Sequence, residues 1–196
     1  MLPRLFLIRH GETEWSLSGR HTGRTDIALT ERGEEDARAL GNRLRAFTFE
    51  AVFTSPSLRA RRTCELAGLA AASEIDSDLA EWDYGDYEGL TSAEILEARP
   101  DWNLFLDGCP NGESPSRVSG RADRVIAGLK EREGNIALFT HGHFGRALAA
   151  RWIGSPVDLG RRFSLAPASL SVLDHEHQSA RQPIIALWNE RTPDAP

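Results

Sequence analysis

The chain has 196 residues, 40% of them hydrophobic and 27% charged, with a formal net charge of −6. That length suits one domain with a sizeable core, and the acidic balance argues against nucleic acid or an anionic membrane as a general partner, though not against a small anion held by local cations. The first apolar run is broken by Arg9 and Arg9's neighbour His10, so neither a signal peptide nor a membrane span is expected there, and the chain is read as cytoplasmic. Two cysteines, Cys64 and Cys109, do not make a disulfide framework, and no Cys/His spacing matches a zinc ribbon.

In chain order, the run Leu5-Phe6-Leu7-Ile8 reads as a strand that ends in Arg9-His10-Gly11-Glu12. A long helix starts near Glu31, capped by Thr30, with Ala37, Leu40 and Leu44 on its apolar face. A strand at Ala51 to Thr54 leads through Ser55-Pro56 into a helix around Leu58 to Leu69, and a further strand includes Ile75. Thr91 and Glu94 form a capping box, and Val118, Ala122, Val125 and Leu129 mark a longer helix. Between these two, the proline- and glycine-bearing stretch from Arg99 to Pro115 suits a loop over a site rather than a core element, and residues 82–115 are read as a lid-like insertion. The strand Ile136 to Thr140 ends in His141-Gly142-His143 and passes into a helix near Phe144 to Ile153. Two last strands, Ser169 to Leu173 and Ile184 to Trp188, pair as a hairpin at one sheet edge. The alternation makes this an α/β chain of one domain, 1–196.

Chemistry concentrates where two strands end in His-Gly. Imidazole can attack phosphorus, an adjacent Arg9 offers a planar fork of donors to phosphoryl oxygens, and Gly11 lets the backbone approach an anion. Open α/β sheets bind ligands at the carboxyl ends of their strands, so neighbouring strands would bring His10 and His141 into one crevice. Ser55 to Thr63 adds guanidinium near the same rim; about 200° of helix separates Arg59 from Arg61, so both cannot face one phosphate. Glu81 beside Trp82 places a carboxyl against an aromatic, a setting that favours a proton donor, although Asp83, Asp86 and Glu88 compete with it by spacing alone. His143 invites a metal reading, which the nearby arginines disfavour by repelling a cation.

The ordered series Leu7 to Trp15, Thr22-Gly23 with Thr25-Asp26, Leu29 to Gly33, Ser55-Pro56 with Arg59-Ala60 and Thr63, Glu81, Gly112-Glu113-Ser114 and His141-Gly142 resembles the histidine phosphatase, or phosphoglycerate-mutase-like, superfamily over nearly the whole chain. Glu81-Trp82, Tyr84 to Gly89, Asp107-Gly108-Cys109, His141-Gly142-His143 and Phe163 to Leu173 resemble its fungal sedoheptulose-1,7-bisphosphatase branch. The resemblance implies a three-layer, open, mixed but mostly parallel sheet with helices on both faces. It also implies a metal-independent phosphomonoester hydrolase needing no cofactor, in which His10 becomes phosphorylated and Arg9, Arg59 and His141 hold the phosphoryl oxygens. Glu81 then serves as acid and afterwards as base. The branch implies sugar phosphates or bisphosphates as substrates, with Arg146 and His177 as a second anionic grip and Thr22, Gly23, Ser55, Tyr84 and Gly142 lining the site. Ser16, also expected at the substrate, replaces an asparagine common in mutases, and His21 stands where the branch tends to carry tyrosine. A broad-specificity acid phosphatase, a cofactor-dependent phosphoglycerate mutase and a noncatalytic phospho-ligand-binding module are the alternatives. Between Thr91 and Pro110 the only cation is Arg99, which argues against the basic insertion of the mutases. A small phosphorylated substrate is the expected partner, and a homo-oligomer is compatible with the chain.

Overall fold

A computed structural model describes residues 2–179 and 182–191. Strands β1 (Arg4–Arg9), β2 (Ala51–Thr54), β3 (Ser73–Ile75), β4 (Asn135–Thr140), β5 (Leu170–His175) and β6 (Pro183–Glu190) form one sheet in the order β3-β2-β4-β1-β5-β6. The first four are parallel, while β5 runs antiparallel to β1 and β6 antiparallel to β5. The hairpin expected at one edge is therefore present, and the sheet is mixed and mostly parallel. β1 and β4 are direct neighbours, with Arg9 opposite Thr140, so His10 and His141 leave the sheet side by side.

The two faces of β1 explain the layers. Leu5 and Leu7 point one way, Phe6 and Ile8 the other, and all four are fully buried, as expected of a parallel strand covered on both sides. Phe6 and Ile8 pack with Leu40 and Leu44 of α2 (Glu31–Leu44), after the short α1 (Glu14–Leu17), and with Cys64 of α3 (Leu58–Leu66). Leu5 and Leu7 belong to the larger core with α4 (Ser92–Ala98), α5 (Leu104–Asp107), α6 (Pro115–Leu129) and α7 (Gly142–Trp152). The caps at Thr30 and Thr91 form as the sequence indicated, the latter as a full capping box. Helix α3 stops at Leu66, short of the expected Leu69, because the chain turns through Gly68, whose φ is +81°.

The segment 82–115 corrects one expectation. Trp82, Tyr84, Ile95, Trp102, Leu104 and Phe105 are all buried in the same core as Leu5 and Leu7, so much of this stretch is packed structure rather than a loop laid over a site. The indole of Trp102 donates to the Gly108 carbonyl at 2.8 Å and that of Trp82 to the Glu113 carbonyl at 3.0 Å, which ties the glycine- and proline-rich end to the core. Among the described residues no helix is long and apolar enough to cross a membrane.

Candidate active site

His10 and His141 meet at the carboxyl ends of β1 and β4, with ring centroids 5.2 Å apart. His10 Nδ1 lies 2.7 Å from the Gly11 carbonyl oxygen. A carbonyl can only accept, so Nδ1 carries the ring proton and Nε2 keeps its lone pair. Burial, then the positive charges of Arg59 and Arg9, hold this imidazole well below the usual histidine value, and it is neutral. The Gly11 N–H is equally committed, donating to Thr63 Oγ1 at 2.9 Å. Both backbone groups of Gly11 thus hold the loop that carries His10, and a Cβ there would lie 2.5 Å from the Gly33 carbonyl oxygen.

His141 Nε2 lies 2.7 Å from Ser55 Oγ, so Ser55 aims this ring. Burial is the main cause, with Arg59 next, of a His141 imidazole that also titrates well below the usual value. Arg59, rather than the exposed Arg61, turns inward and is fully buried. Its terminal nitrogens donate to the carbonyls of Thr25, Thr22 and Gly23 at 3.0, 2.9 and 3.2 Å, holding the loop after α1. Arg9 donates to the Leu165 carbonyl, and Gly142 gives its guanidinium room: a Cβ at Gly142 would sit 3.3 Å from Arg9 Cζ. Arg9 Nε, Arg59 Nε and His141 Nδ1 are buried with no partner among the described residues. Unpaired buried donors are costly.

Glu81 lies at the start of α7, whose own N-cap residue, His141, makes no side-chain cap. Its Oε1 accepts from the N–H groups of Phe144 and Trp82 at 2.7 and 3.0 Å, and Oε2 from that of His143 at 3.0 Å. The indole N–H of the neighbouring Trp82 is taken up by the Glu113 carbonyl. What surrounds the carboxyl is backbone N–H, and Oε2, with one bond against two, has the capacity left for a proton.

Two cavities flank Glu81. The smaller, about 160 Å³, is lined by Arg9, His10, Ser16, Thr22, Tyr84, Gly142 and Arg146, together with His21 and His143. The larger, about 400 Å³, is lined by Gly23, Ser55 and His141 with Arg24, Asp83 and Arg117. Tyr84 is buried and its hydroxyl lies 2.6 Å from His143 Nδ1, so it is both core and cavity wall. Arg146 donates from Nε to the Gly160 carbonyl at 2.8 Å with its guanidinium over Phe105. Ser16 closes a capping box with Thr13 at the start of α1.

His177 does not join them. β5 runs away from the site, its end tied by Asp174 to Arg4 at the start of β1. His177 is therefore at the opposite rim, a strand length of roughly 17 Å away, with its side chain 85% exposed. Two further residues brace the loops around the site. Thr63 joins Gly11 to α3 by also donating to the Arg59 carbonyl at 2.7 Å, and Glu88 accepts from Gly23 and Thr25 N–H groups at 3.0 Å, fixing the loop that Arg59 grips. Both lie inside motifs quoted above, but their roles are visible only through space. Among the described residues no cluster of three His, Cys, Asp or Glu could hold a metal ion.

Known proteins resemble this chain over most of its length. Residues 5–191 match the model of the histidine phosphatase superfamily (branch 1). The chain is 42% identical to an acid phosphatase of Mycobacterium tuberculosis, covering 98% of this chain and 96% of the relative. It is 38% identical to sedoheptulose 1,7-bisphosphatase of Saccharomyces cerevisiae, covering 79% and 69%. A solved structure of a Mycobacterium tuberculosis open reading frame product superposes with a TM-score of 0.91 at 40% identity, covering 96% of this chain and 97% of that one. The paired His-Gly strand ends and the matched span together place this chain in branch 1 of the histidine phosphatase superfamily.

Proposed function

We propose that this phosphatase hydrolyses phosphomonoesters through a phosphohistidine on His10, with sugar phosphates and bisphosphates as its substrates. The observation that carries the reading is the bond from His10 Nδ1 to the Gly11 carbonyl, which leaves Nε2 as an unprotonated nucleophile beside two buried guanidinium groups. In the first half-reaction Nε2 bonds to phosphorus while Arg9, Arg59 and His141 stabilise the equatorial oxygens and Glu81 gives its Oε2 proton to the leaving oxygen. In the second, the ionised Glu81 takes a proton from water as that water attacks the phosphohistidine, and free His10 and phosphate result. The arginines supply the positive charge that a metal ion supplies in other phosphoryl-transfer sites.

Support for a sugar bisphosphate comes from the yeast relative's name and from Arg146 in the small cavity with His10. With His177 at the far rim, the second anion falls to Arg146, helped by Arg20 in the same cavity. A second reading, a broad-specificity acid phosphatase, is favoured by the 42% identical relative. The deciding experiment is a panel of p-nitrophenyl phosphate, sugar monophosphates, fructose 1,6-bisphosphate and sedoheptulose 1,7-bisphosphate, assayed in EDTA with wild type and His10→Ala. Wild type should release phosphate despite the chelator, His10→Ala should release none, and the bisphosphates should be preferred. Loss of turnover in EDTA would overturn the metal-free scheme. Bisphosphates no better than monophosphates would favour the acid phosphatase, and conversion of 3- to 2-phosphoglycerate faster than hydrolysis would restore the mutase.

A further inference from the structure

On the buried face of α6, between Val118 and Val125, sits Arg121, 7% exposed. A guanidinium has five N–H donors, and each of these has an acceptor. Nε and Nη2 donate to the Glu113 carboxylate at 3.1 and 2.7 Å, Nη1 to the carbonyls of Asp78 and Ala80 at 2.8 and 2.5 Å, and Nη2 also to the carbonyl of Glu81 at 3.1 Å. Glu113 extends the grip past Glu81. Its Oε2 accepts from the Asp83 N–H at 3.0 Å, its own N–H donates to the Asp83 carbonyl at 2.8 Å, and its carbonyl receives the Trp82 indole. The Arg121 guanidinium also lies 4.3 Å from the ring centroid of Phe144, the residue whose N–H holds Glu81 Oε1.

A buried ion pair is costly to desolvate, and apolar side chains of similar volume often hold a core as well. Packing alone therefore gives no reason for five donors aimed at the short stretch that carries the carboxyl and at the glutamate that braces it. We propose that Arg121, with Glu113, is a positioning residue that fixes Glu81 Oε2 at the leaving-group oxygen. The inference rests on the reading of Glu81 as proton donor. In that step the His10 Nε2–P bond forms as the P–O bond to the leaving group breaks, and the Oε2 proton passes to the departing oxygen, giving a neutral alcohol and an ionised carboxylate. Misplacing the donor by about 1 Å costs on the order of a hundredfold where the proton is needed. It costs far less where the leaving group departs as a stabilised anion.

The test compares an alkyl ester, β-glycerophosphate, with p-nitrophenyl phosphate in single-turnover phosphorylation of wild type, Glu81→Gln, Arg121→Lys and Glu113→Gln. Arg121→Lys keeps the charge and loses the fork of donors; it should slow β-glycerophosphate roughly tenfold more than p-nitrophenyl phosphate, in the same sense as Glu81→Gln. If Glu81→Gln is skewed and Arg121→Lys slows both esters equally, the positioning role is wrong and the proton donor stands. If Glu81→Gln itself shows no skew, the proton-donor reading fails first. Should circular dichroism show Arg121→Lys unfolded, Glu113→Gln decides by the same ratio.

Discussion

At the residue scale, the proposed attack on phosphorus requires a neutral His10, and its surroundings make neutrality persist into acid. Burial and the charges of Arg59 and Arg9 all disfavour the imidazolium, outweighing the Gly11 carbonyl that favours it. The acid limb of kcat/KM should therefore lie below the ordinary imidazole value of about 6.5. Arg59→Gln should move that limb upward, because a cation beside the ring is removed; a pH–rate profile on p-nitrophenyl phosphate checks both. The placement of Arg9, His10 and His141 was legible in sequence because each sits in a short motif at a strand end, whereas the choice of Arg59 over its neighbouring arginines came only from the family resemblance. The setting of Glu81 was not legible. Two of its three N–H donors come from His143 and Phe144 on a helix far along the chain, and sequence adjacency offered only Trp82.

At the element scale, α2 is seated directly on the loop that carries His10. Thr30 caps the helix through the Gly33 N–H, donates from Oγ1 to Glu12 Oε1 at 2.8 Å, and donates its own N–H to the Glu12 carbonyl at 2.9 Å. Gly33 and Gly11 allow backbone to touch backbone there, and a Cβ at Gly33 would meet the Glu12 carbonyl oxygen at 2.3 Å. Gly33→Ala should cost about 1–3 kcal/mol and lower kcat by shifting the His10 loop. Gly120→Ala on α6, where a Cβ meets nothing within 4 Å, should instead be neutral or stabilising by up to about 1 kcal/mol. Urea midpoints of the two variants at unchanged slope make the comparison. Elements were readable from caps and periodicity, whereas the packing of Trp102, Leu104 and Phe105 was hidden: prolines and glycines around them have the composition of a surface loop, yet the large side chains between find the core. The direction of β5, set by its antiparallel pairing with β1, likewise decides that His177 leaves the site, and no local pattern reveals it.

At the scale of the whole molecule, three imidazoles, His10, His141 and His143, are held neutral, in each case chiefly by burial. Their folded values lie below those of the unfolded chain, so the unfolded state takes up more protons in acid. Stability from these groups is complete above about pH 6.5 and is lost as pH falls from there toward the folded values, with a slope of up to about 1.4 kcal/mol per pH unit for each. Thermal melts without phosphate should show a steeper fall between pH 6.5 and 5 than the same melts of His143→Gln, and parallel curves would contradict this. The α/β class and the hairpin edge were foreseeable from the sequence, but the adjacency of β1 and β4 was only a condition there, since strand order is decided by how helices cover both faces. That adjacency carries a consequence for catalytic competence. Arg9 stands opposite Thr140, and sliding one strand by a single residue would throw one imidazole onto the other side of the sheet. Competence is thus all or none: a misaligned chain is inert rather than sluggish, and recovery of turnover during refolding reports correct alignment of two distant segments.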